Sequence, residues 1–235
     1  MSTLIITGGR TDDNAAGYLA ARAGALPQTG PKAAGRCCRA PGFEHVIAVD
    51  GGLLSAERLG LKPDYIVGDF DSLPEEYLRR YEQQDGITVR RFRPEKDDTD
   101  TQIAVELAQE LEGENGEVLI LGGLGTRFDH TLANVFLLEK LEAAGIRAAL
   151  VDSNNRISVH RRSFTLRKSE QYGSFVSFLA LTPQVTGITL TGFKYPLTKR
   201  TLRQEDSLCI SNELAAETGT VEFEEGLLLM AEARD

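Results

Sequence analysis

The sequence predicts an α/β protein: a mainly parallel sheet with helices on both faces, followed by a C-terminal antiparallel β-sandwich or barrel-like unit. Three observations carry this. From Leu4 to Val151, short continuous apolar runs alternate with segments of helical period, the pattern of strands buried on both faces. Several of those runs empty directly into glycine and aspartate, as strand ends at a ligand site do. After about Asn154 the helical period disappears, and short apolar runs separated by turn residues take over.

Taken in order, Leu4-Ile5-Ile6-Thr7 reads as a buried strand ending at Gly8-Gly9. Residues from Arg10 to Gly42 are rich in Ala, Gly and Pro without sustained apolar period, and are expected to be mostly a surface loop. His45 to Val49 is the second strand, Leu53 to Leu59 a helix closed by Gly60, and Asp64 to Val67 the third strand. Pro74 to Gln84 reads as a helix, with Ser72-x-x-Glu75 fitting a capping box before it. Ile87 to Val89 is a fourth strand. Thr99 to Leu111 is a helix with Ile103, Ala104, Leu107, Ala108 and Leu111 on one face. Val118 to Leu121, Leu132 to Ala143 and Ala148 to Val151 complete the series as strand, helix and strand. Short strands are then expected at 175–179, 187–190, 208–210, 220–223 and 227–230. A boundary within Asp152 to Ser163 divides the chain into residues 1–153, an α/β domain, and 154–235, a β domain.

The chain has 235 residues, 41% hydrophobic and 26% charged, with net charge −9. That length is enough to bury a sizeable core. The acidic balance argues against nucleic-acid binding, which needs a basic footprint, but leaves nucleotide binding open. Cys37, Cys38 and Cys209 form neither a zinc signature nor a disulfide framework, which fits reduced thiols in a cytoplasmic protein. No signal peptide is expected at Met1-Ser2-Thr3-Leu4, and no uncharged apolar stretch approaches bilayer length.

The sharpest local feature is Gly68-Asp69-Phe70-Asp71-Ser72. In an extended loop, residues two apart point the same way, so Asp69 and Asp71 could face one metal; equally, they could satisfy turn and helix N-terminal amides. A second acidic cluster, Lys96-Asp97-Asp98-Thr99-Asp100, opens a helix in which Thr99-x-x-Gln102 also fits a capping box. Three aspartates exceed what capping requires. Carboxylates crowded together raise one another's pKa unless a cation lies between them, and hard oxygen donors suit Mg²⁺ held with substrate phosphates. Gly122-Gly123-Leu124-Gly125-Thr126-Arg127 resembles a phosphate-cradling turn without being a Walker or dinucleotide motif. Arg127, Asp129 and His130 follow with a guanidinium fork, a carboxylate and an imidazole. No serine or cysteine has the setting of an activated nucleophile.

Assembled, these residues resemble the thiamine pyrophosphokinase family. The ordered set is Asp50-Gly51-Gly52, Gly68-Asp69-Phe70-Asp71-Ser72, Lys96-Asp97-x-Thr99-Asp100 and Gly122-x-x-Gly125-x-Arg127-x-Asp129-His130. It continues through Asn134, Gly192-x-Lys194-Tyr195-Pro196-Leu197 and Ser211-Asn212-Glu213. The resemblance implies transfer of a diphosphoryl group from ATP, as co-substrate, to the hydroxyl of thiamine, giving thiamine diphosphate and AMP. It implies Mg²⁺ on Asp69, Asp71 and Asp100, with Asp50 and Asp97 nearby. Thr99, Arg127, Asp129 and His130 would surround the nucleotide, and Gln102, Tyr195, Ser211 and Asn212 would contact substrate. Either Asp97 or Asp100 would accept the hydroxyl proton. It further implies a homodimer with active sites at the subunit interface, without membrane or nucleic-acid partners. Asp69-x-Asp71 after an apolar strand also resembles haloacid-dehalogenase-like phosphatases, though the order of later motifs fits poorly. A pterin-alcohol pyrophosphokinase and a non-catalytic nucleotide or vitamin binder are the other readings.

Overall fold

Between Ser2 and Val151 six parallel strands form one sheet in the order β4-β3-β2-β1-β5-β6. They are β1 (Ser2–Ile6), β2 (His45–Val49), β3 (Tyr65–Gly68), β4 (Thr88–Arg91), β5 (Glu117–Leu121) and β6 (Arg147–Val151). The helices between them are α1 (Gly52–Arg58), α2 (Glu75–Glu82), α3 (Asp100–Glu112) and α4 (Phe128–Ala143). This is a computed structural model, and it describes residues 1–9, 11, 17–19, 40, 42–71, 73–93 and 97–235. The chain divides into two units, Met1–Ser153 and Asn154–Asp235. Most of the segment 10–42, with Cys37 and Cys38, lies outside the described residues, as do Ser72 and Lys96.

The central strands are buried because their sequences are uniformly apolar. Leu4, Ile5, Ile6, Val46, Ile47, Ala48, Ile120 and Leu121 have no measurable exposure. Helix α3 packs on β1, β2 and β3 and also on α4, α4 packs on β6, and α1 packs on β1 and β2. Toward the β4 edge a second cluster joins Ala48, Leu53, Ile66, Phe70, Leu73, Leu78 and Tyr81. There Glu57 of α1 accepts hydrogen bonds from Tyr77 and Tyr81 of α2, which ties the two helices that flank the third strand.

In the first unit two local expectations differ from the structure. Helix α2 starts at Glu75 with Pro74 as its N-cap and no side-chain cap there, so Glu75 is the first helical residue rather than the third; Ser72 of the expected capping box lies outside the described residues. Helix α4 starts at Phe128, four residues before the expected Leu132. Its first turn is polar or exposed, so no inward apolar period announces it. Thr99 does cap its helix: its Oγ1 accepts from the Gln102 amide at 3.2 Å.

The second unit is a sandwich of two antiparallel sheets. One holds β7 (Asn155–His160), β13 (Leu228–Ala233) and β9 (Phe175–Ala180), paired in that order. The other has the order β11-β10-β12-β8, from β8 (Phe164–Arg167), β10 (Gln184–Thr191), β11 (Leu197–Arg203) and β12 (Thr218–Glu222). Their inner faces share one core built around Phe178, Val185, Ile188, Leu202, Val221 and Leu228. Phe193 meets Phe178 edge-on at 5.6 Å between centroids. The expected strand at Leu208–Ile210 is a turn. Strands β7, β8 and β11 each bury only one residue fully, too little inward apolar sequence to be legible; β8 and β11 are the two edges of their sheet. Glu232 is fully buried and is held by Arg156 and by the Tyr172 amide at 3.1 Å.

His160 stacks on Phe164 at 3.9 Å and lies 2.9 Å from Ser158 Oγ. Burial lowers its pKa from 6.5 to about 4, because the charged ring cannot be solvated. Between those values the unfolded chain binds a proton that the folded one refuses, so stability rises with pH and is lost as pH falls from about 6.5 toward 4. We expect this residue to account for up to roughly 3 kcal/mol of acid sensitivity. Urea titrations across that range should show a flatter pH dependence for His160→Phe than for the native chain; parallel curves would exclude His160 as the source.

Candidate active site

The strand ends converge on one cleft of about 480 Å³ in the first unit. Thr7, Gly8 and Gly9 reach it from β1, Asp50 from β2 and Asp69 from β3. Residues Gly122 to Arg127 follow β5, and Asp98 to Thr101 bring the start of α3. His130 and Asn134 add one face of α4. In a parallel sheet this is the end where main-chain geometry and helix N-termini favour ligands.

The wall is close-packed backbone. A Cβ at Gly9 would lie 1.9 Å from the Gly122 carbonyl oxygen, so β1 and β5 can approach as they do only with glycine there. Thr7 fixes the same corner, its amide donating to the Leu121 carbonyl at 2.9 Å and its hydroxyl to that carbonyl at 3.1 Å. Asn134 is buried and donates to the Gly123 carbonyl at 2.8 Å, and Thr131 Oγ1 accepts from the Gly125 amide at 3.2 Å. The glycine-rich turn is thus held from α4.

Asp50 organises the acidic side. Its backbone is left-handed at φ 45, its amide donates to the Val67 carbonyl at 3.0 Å, and its Oδ1 accepts from the Phe70 amide at 3.3 Å. Gly68 makes room for that carboxylate, since a Cβ there would meet Oδ1 at 1.8 Å. Burial raises the Asp50 pKa to about 7, with further upward contributions from the charge and hydrogen bonding of Asp100 and from Asp69. Asp50, Asp69 and Asp100 therefore share one electrostatic neighbourhood.

The structure distributes the expected site residues unevenly. Asp50, Asp69, Thr99, Asp100, Arg127 and His130 line the cleft. Asp71 does not. Residues two apart point alike only along extended backbone, and Phe70 is left-handed at φ 60 with its ring buried. The Asp71 amide instead donates to Asp69 Oδ1 at 3.2 Å, leaving Asp71 exposed. Asp97 is exposed and off the wall, whereas Asp98 is on it. Gln102 is not on the wall itself but donates at 2.6 Å to Asp98, which is and which precedes the helix. Asp129 makes a two-point pair with Arg127, at 3.2 Å to Nε and 2.6 Å to Nη2. That pairing brings the Asp129 pKa down to about 2 and raises that of Arg127.

Tyr195, Ser211 and Asn212 lie in the second unit. Tyr195 and Ser211 are exposed, while Asn212 is buried. Sequence reasoning missed Thr7, Gly8 and Gly9; the Gly-Gly pair directly after a buried strand was the available signal.

Among the described residues, no group of three or more acidic, histidine or cysteine side chains already converges as a metal cage. Mg²⁺ does not need one. It is commonly held by one or two carboxylates, with waters and substrate phosphates completing its shell. The carboxylates of Asp50, Asp69 and Asp100 are the right hard donors, and the donor set fits that ion.

Such a cleft defines the class, an α/β enzyme whose site lies beyond the carboxyl ends of a parallel sheet. Residues 42–150 match the model described as "Thiamin pyrophosphokinase, catalytic domain", and residues 163–228 match "Thiamin pyrophosphokinase, vitamin B1 binding domain". Thiamine pyrophosphokinase of Bacillus subtilis is 34% identical over 189 residues, covering 80% of this chain and 87% of that protein. The crystal structure of thiamine pyrophosphokinase from the same organism superposes with a TM-score of 0.80 at 30% identity, covering 100% of both chains. The structure from Geobacillus thermodenitrificans gives 0.77 at 32% identity, covering 100% of this chain and 98% of that one. The chain belongs to the thiamin pyrophosphokinase family.

The packing of the cleft wall can be tested without substrate. Gly9→Ala should cost at least about 2 kcal/mol, because backbone rather than a flexible side chain would have to move. A methyl group at Gly125 would have nothing within 4 Å of it, so Gly125→Ala should stay within about 1 kcal/mol of the native protein. Chemical denaturation of both variants checks the contrast.

Proposed function

We propose that the protein transfers the diphosphoryl group of ATP to the hydroxyl of thiamine, forming thiamine diphosphate and AMP. The observation that carries this reading is the joining of carboxylates, guanidinium and glycine-rich backbone in one cleft of a chain from this family. The acceptor oxygen forms a bond to the β-phosphorus, the bond from that phosphorus to the α–β bridging oxygen breaks, and AMP departs with that oxygen. The hydroxyl proton passes to a carboxylate; of the two candidates, Asp100 lines the cleft and Asp97 does not. With its Nε and Nη2 edge on Asp129, Arg127 presents the terminal edge of its planar guanidinium to phosphate oxygens. His130 and Thr99 bound the same volume, and the main chain of Gly8, Gly9 and Gly122 to Gly125 excludes water from one side of it.

Asp69 and Asp100, with Asp50 beside them, are the residues that would hold Mg²⁺, which when bound neutralises charge on the phosphoryl oxygens. The first unit takes the nucleotide and metal in this reading. The second takes thiamine, through Tyr195 and Ser211. Thiamine carries a positive charge and two aromatic rings, which suits an exposed tyrosine face. The protein acts as a homodimer with active sites formed between subunits.

Incubation with thiamine, ATP and Mg²⁺ should release AMP and thiamine diphosphate in equal amounts. Free phosphate without AMP would mean a phosphatase. Asp100→Asn should lower kcat/KM by at least about a hundredfold, with the denaturation midpoint unchanged or raised, since carboxylate repulsion is relieved. Removing the metal with EDTA should stop AMP release and leave the circular dichroism spectrum intact. Arg127→Lys should impair ATP kinetics and spare the thiamine KM; unaltered ATP kinetics would remove Arg127 from the phosphate site.

The shared-site arrangement predicts complementation. Tyr195→Ala and Asp100→Asn subunits, each impaired alone, should regain activity when mixed, because a mixed dimer holds one site with both residues intact. Subunit exchange demonstrated by mass spectrometry without recovered activity would exclude it.

A further inference from the structure

We infer that Asn212 acts on the acceptor through Tyr195, as a positioning residue that itself makes no contact with thiamine. This rests on the reading above that the Tyr195 ring meets the acceptor. Asn212 is only 2% exposed. Its main chain pairs with Val176 of β9 in both directions, N to O at 2.9 Å and O to N at 2.8 Å. Its side-chain oxygen accepts from the Tyr195 amide at 3.0 Å and from the Glu213 amide at 2.9 Å. Its side-chain nitrogen donates to the Tyr195 carbonyl at 2.9 Å. One carboxamide therefore satisfies both peptide groups of Tyr195, with its own polar atoms turned inward.

The surroundings make that clamp specific to Tyr195. Residues 193 and 214 form an antiparallel bridge, and the Lys194 amide donates to the Glu213 carbonyl at 2.8 Å. Lys194 Nζ reaches Glu213 at 2.6 Å and stands 5.5 Å from the centre of the Tyr195 ring. Phe193 is buried against Phe178. Tyr195 itself is 57% exposed. An exposed ring on a backbone fixed at both peptide groups has lost its main-chain freedom before any ligand arrives, which lowers the entropic cost of binding to it. Ser211, left-handed at φ 55, is fixed separately by its amide donating to Ser177 Oγ at 3.0 Å. It remains exposed, so of the Ser-Asn pair only Ser211 presents a side chain outward.

The substitution Asn212→Asp tests this in the full chain. It keeps an acceptor for the two amides and sets an oxygen against the Tyr195 carbonyl in place of a donor. The thiamine KM should rise about tenfold, with the ATP KM changed less than about twofold. In a Tyr195→Ala background the same substitution should change the thiamine KM by less than about twofold, because the residue it acts through is gone. Multiplying effects in the double variant would overturn the proposal and make Asn212 a direct ligand. Asn212→Asp raising the thiamine KM while Tyr195→Ala does not would overturn it equally and also remove Tyr195 from the acceptor site. No effect of either would do the same.

A measurement on the native protein needs no variant to fold. On adding thiamine, the Tyr195 ring resonances should shift, while the Asn212 side-chain NH₂ signals stay slow to exchange and nearly unmoved. An Asn212 NH₂ shift larger than that of the Tyr195 ring would overturn the proposal.

Discussion

Close approach of main chain to main chain at the strand ends sets what the first unit can be. Gly9 lies against the Gly122 carbonyl, and Gly8 lies with a would-be Cβ 3.6 Å from the Gly51 main chain. A side chain at Gly9 would push the first and fifth strands' loops apart and open the corner that Thr7 closes through the Leu121 carbonyl. Gly68 extends the same constraint to the acidic side, where its missing Cβ leaves space for the Asp50 carboxylate. The parallel sheet supplies the direction of the strand ends; the glycines supply the distance.

Within that frame the electrostatics follow. Asp50 is held by a peptide amide of the third strand's loop, with Asp100 and Asp69 near enough to raise its pKa. Opposite charge enters from the α4 side, where Arg127 and Asp129 pair before a ligand is present. An arginine already oriented by a carboxylate loses less freedom on meeting a phosphate. The cleft thus combines a region that favours a cation with a fork that favours an anion, an arrangement suited to a metal-bound phosphate chain.

Much of this was legible because burial on both faces leaves an unmistakable trace. Leu4 to Ile6, Val46 to Val49 and Val118 to Leu121 could hardly be anything else. Edge strands leave no such trace: Leu197 to Arg203 is mostly exposed and reads as a polar connection. Local backbone handedness was equally hidden. Nothing in Asp69-Phe70-Asp71 announces that Phe70 turns left-handed, so the extended loop assumed for the two carboxylates is not the backbone found there. The acidic run at Asp97 to Asp100 was visible as a group, but which members face the cleft depends on where Thr99 caps the helix. For Asn212 the sequence shows an amide in a polar turn and cannot show that its hydrogen bonds are spent on the backbone of a residue seventeen positions earlier.

That bonding scheme bears on how such a site can diverge. At position 195 the carboxamide of Asn212 touches the peptide groups, which every residue but proline possesses in full. The clamp itself is blind to the side chain it displays. Drift at that one position can therefore explore rings, alkyl groups or hydrogen-bonding tips without disturbing the sandwich beneath, giving the lineage a display position where new recognition chemistry can be sampled at little structural risk.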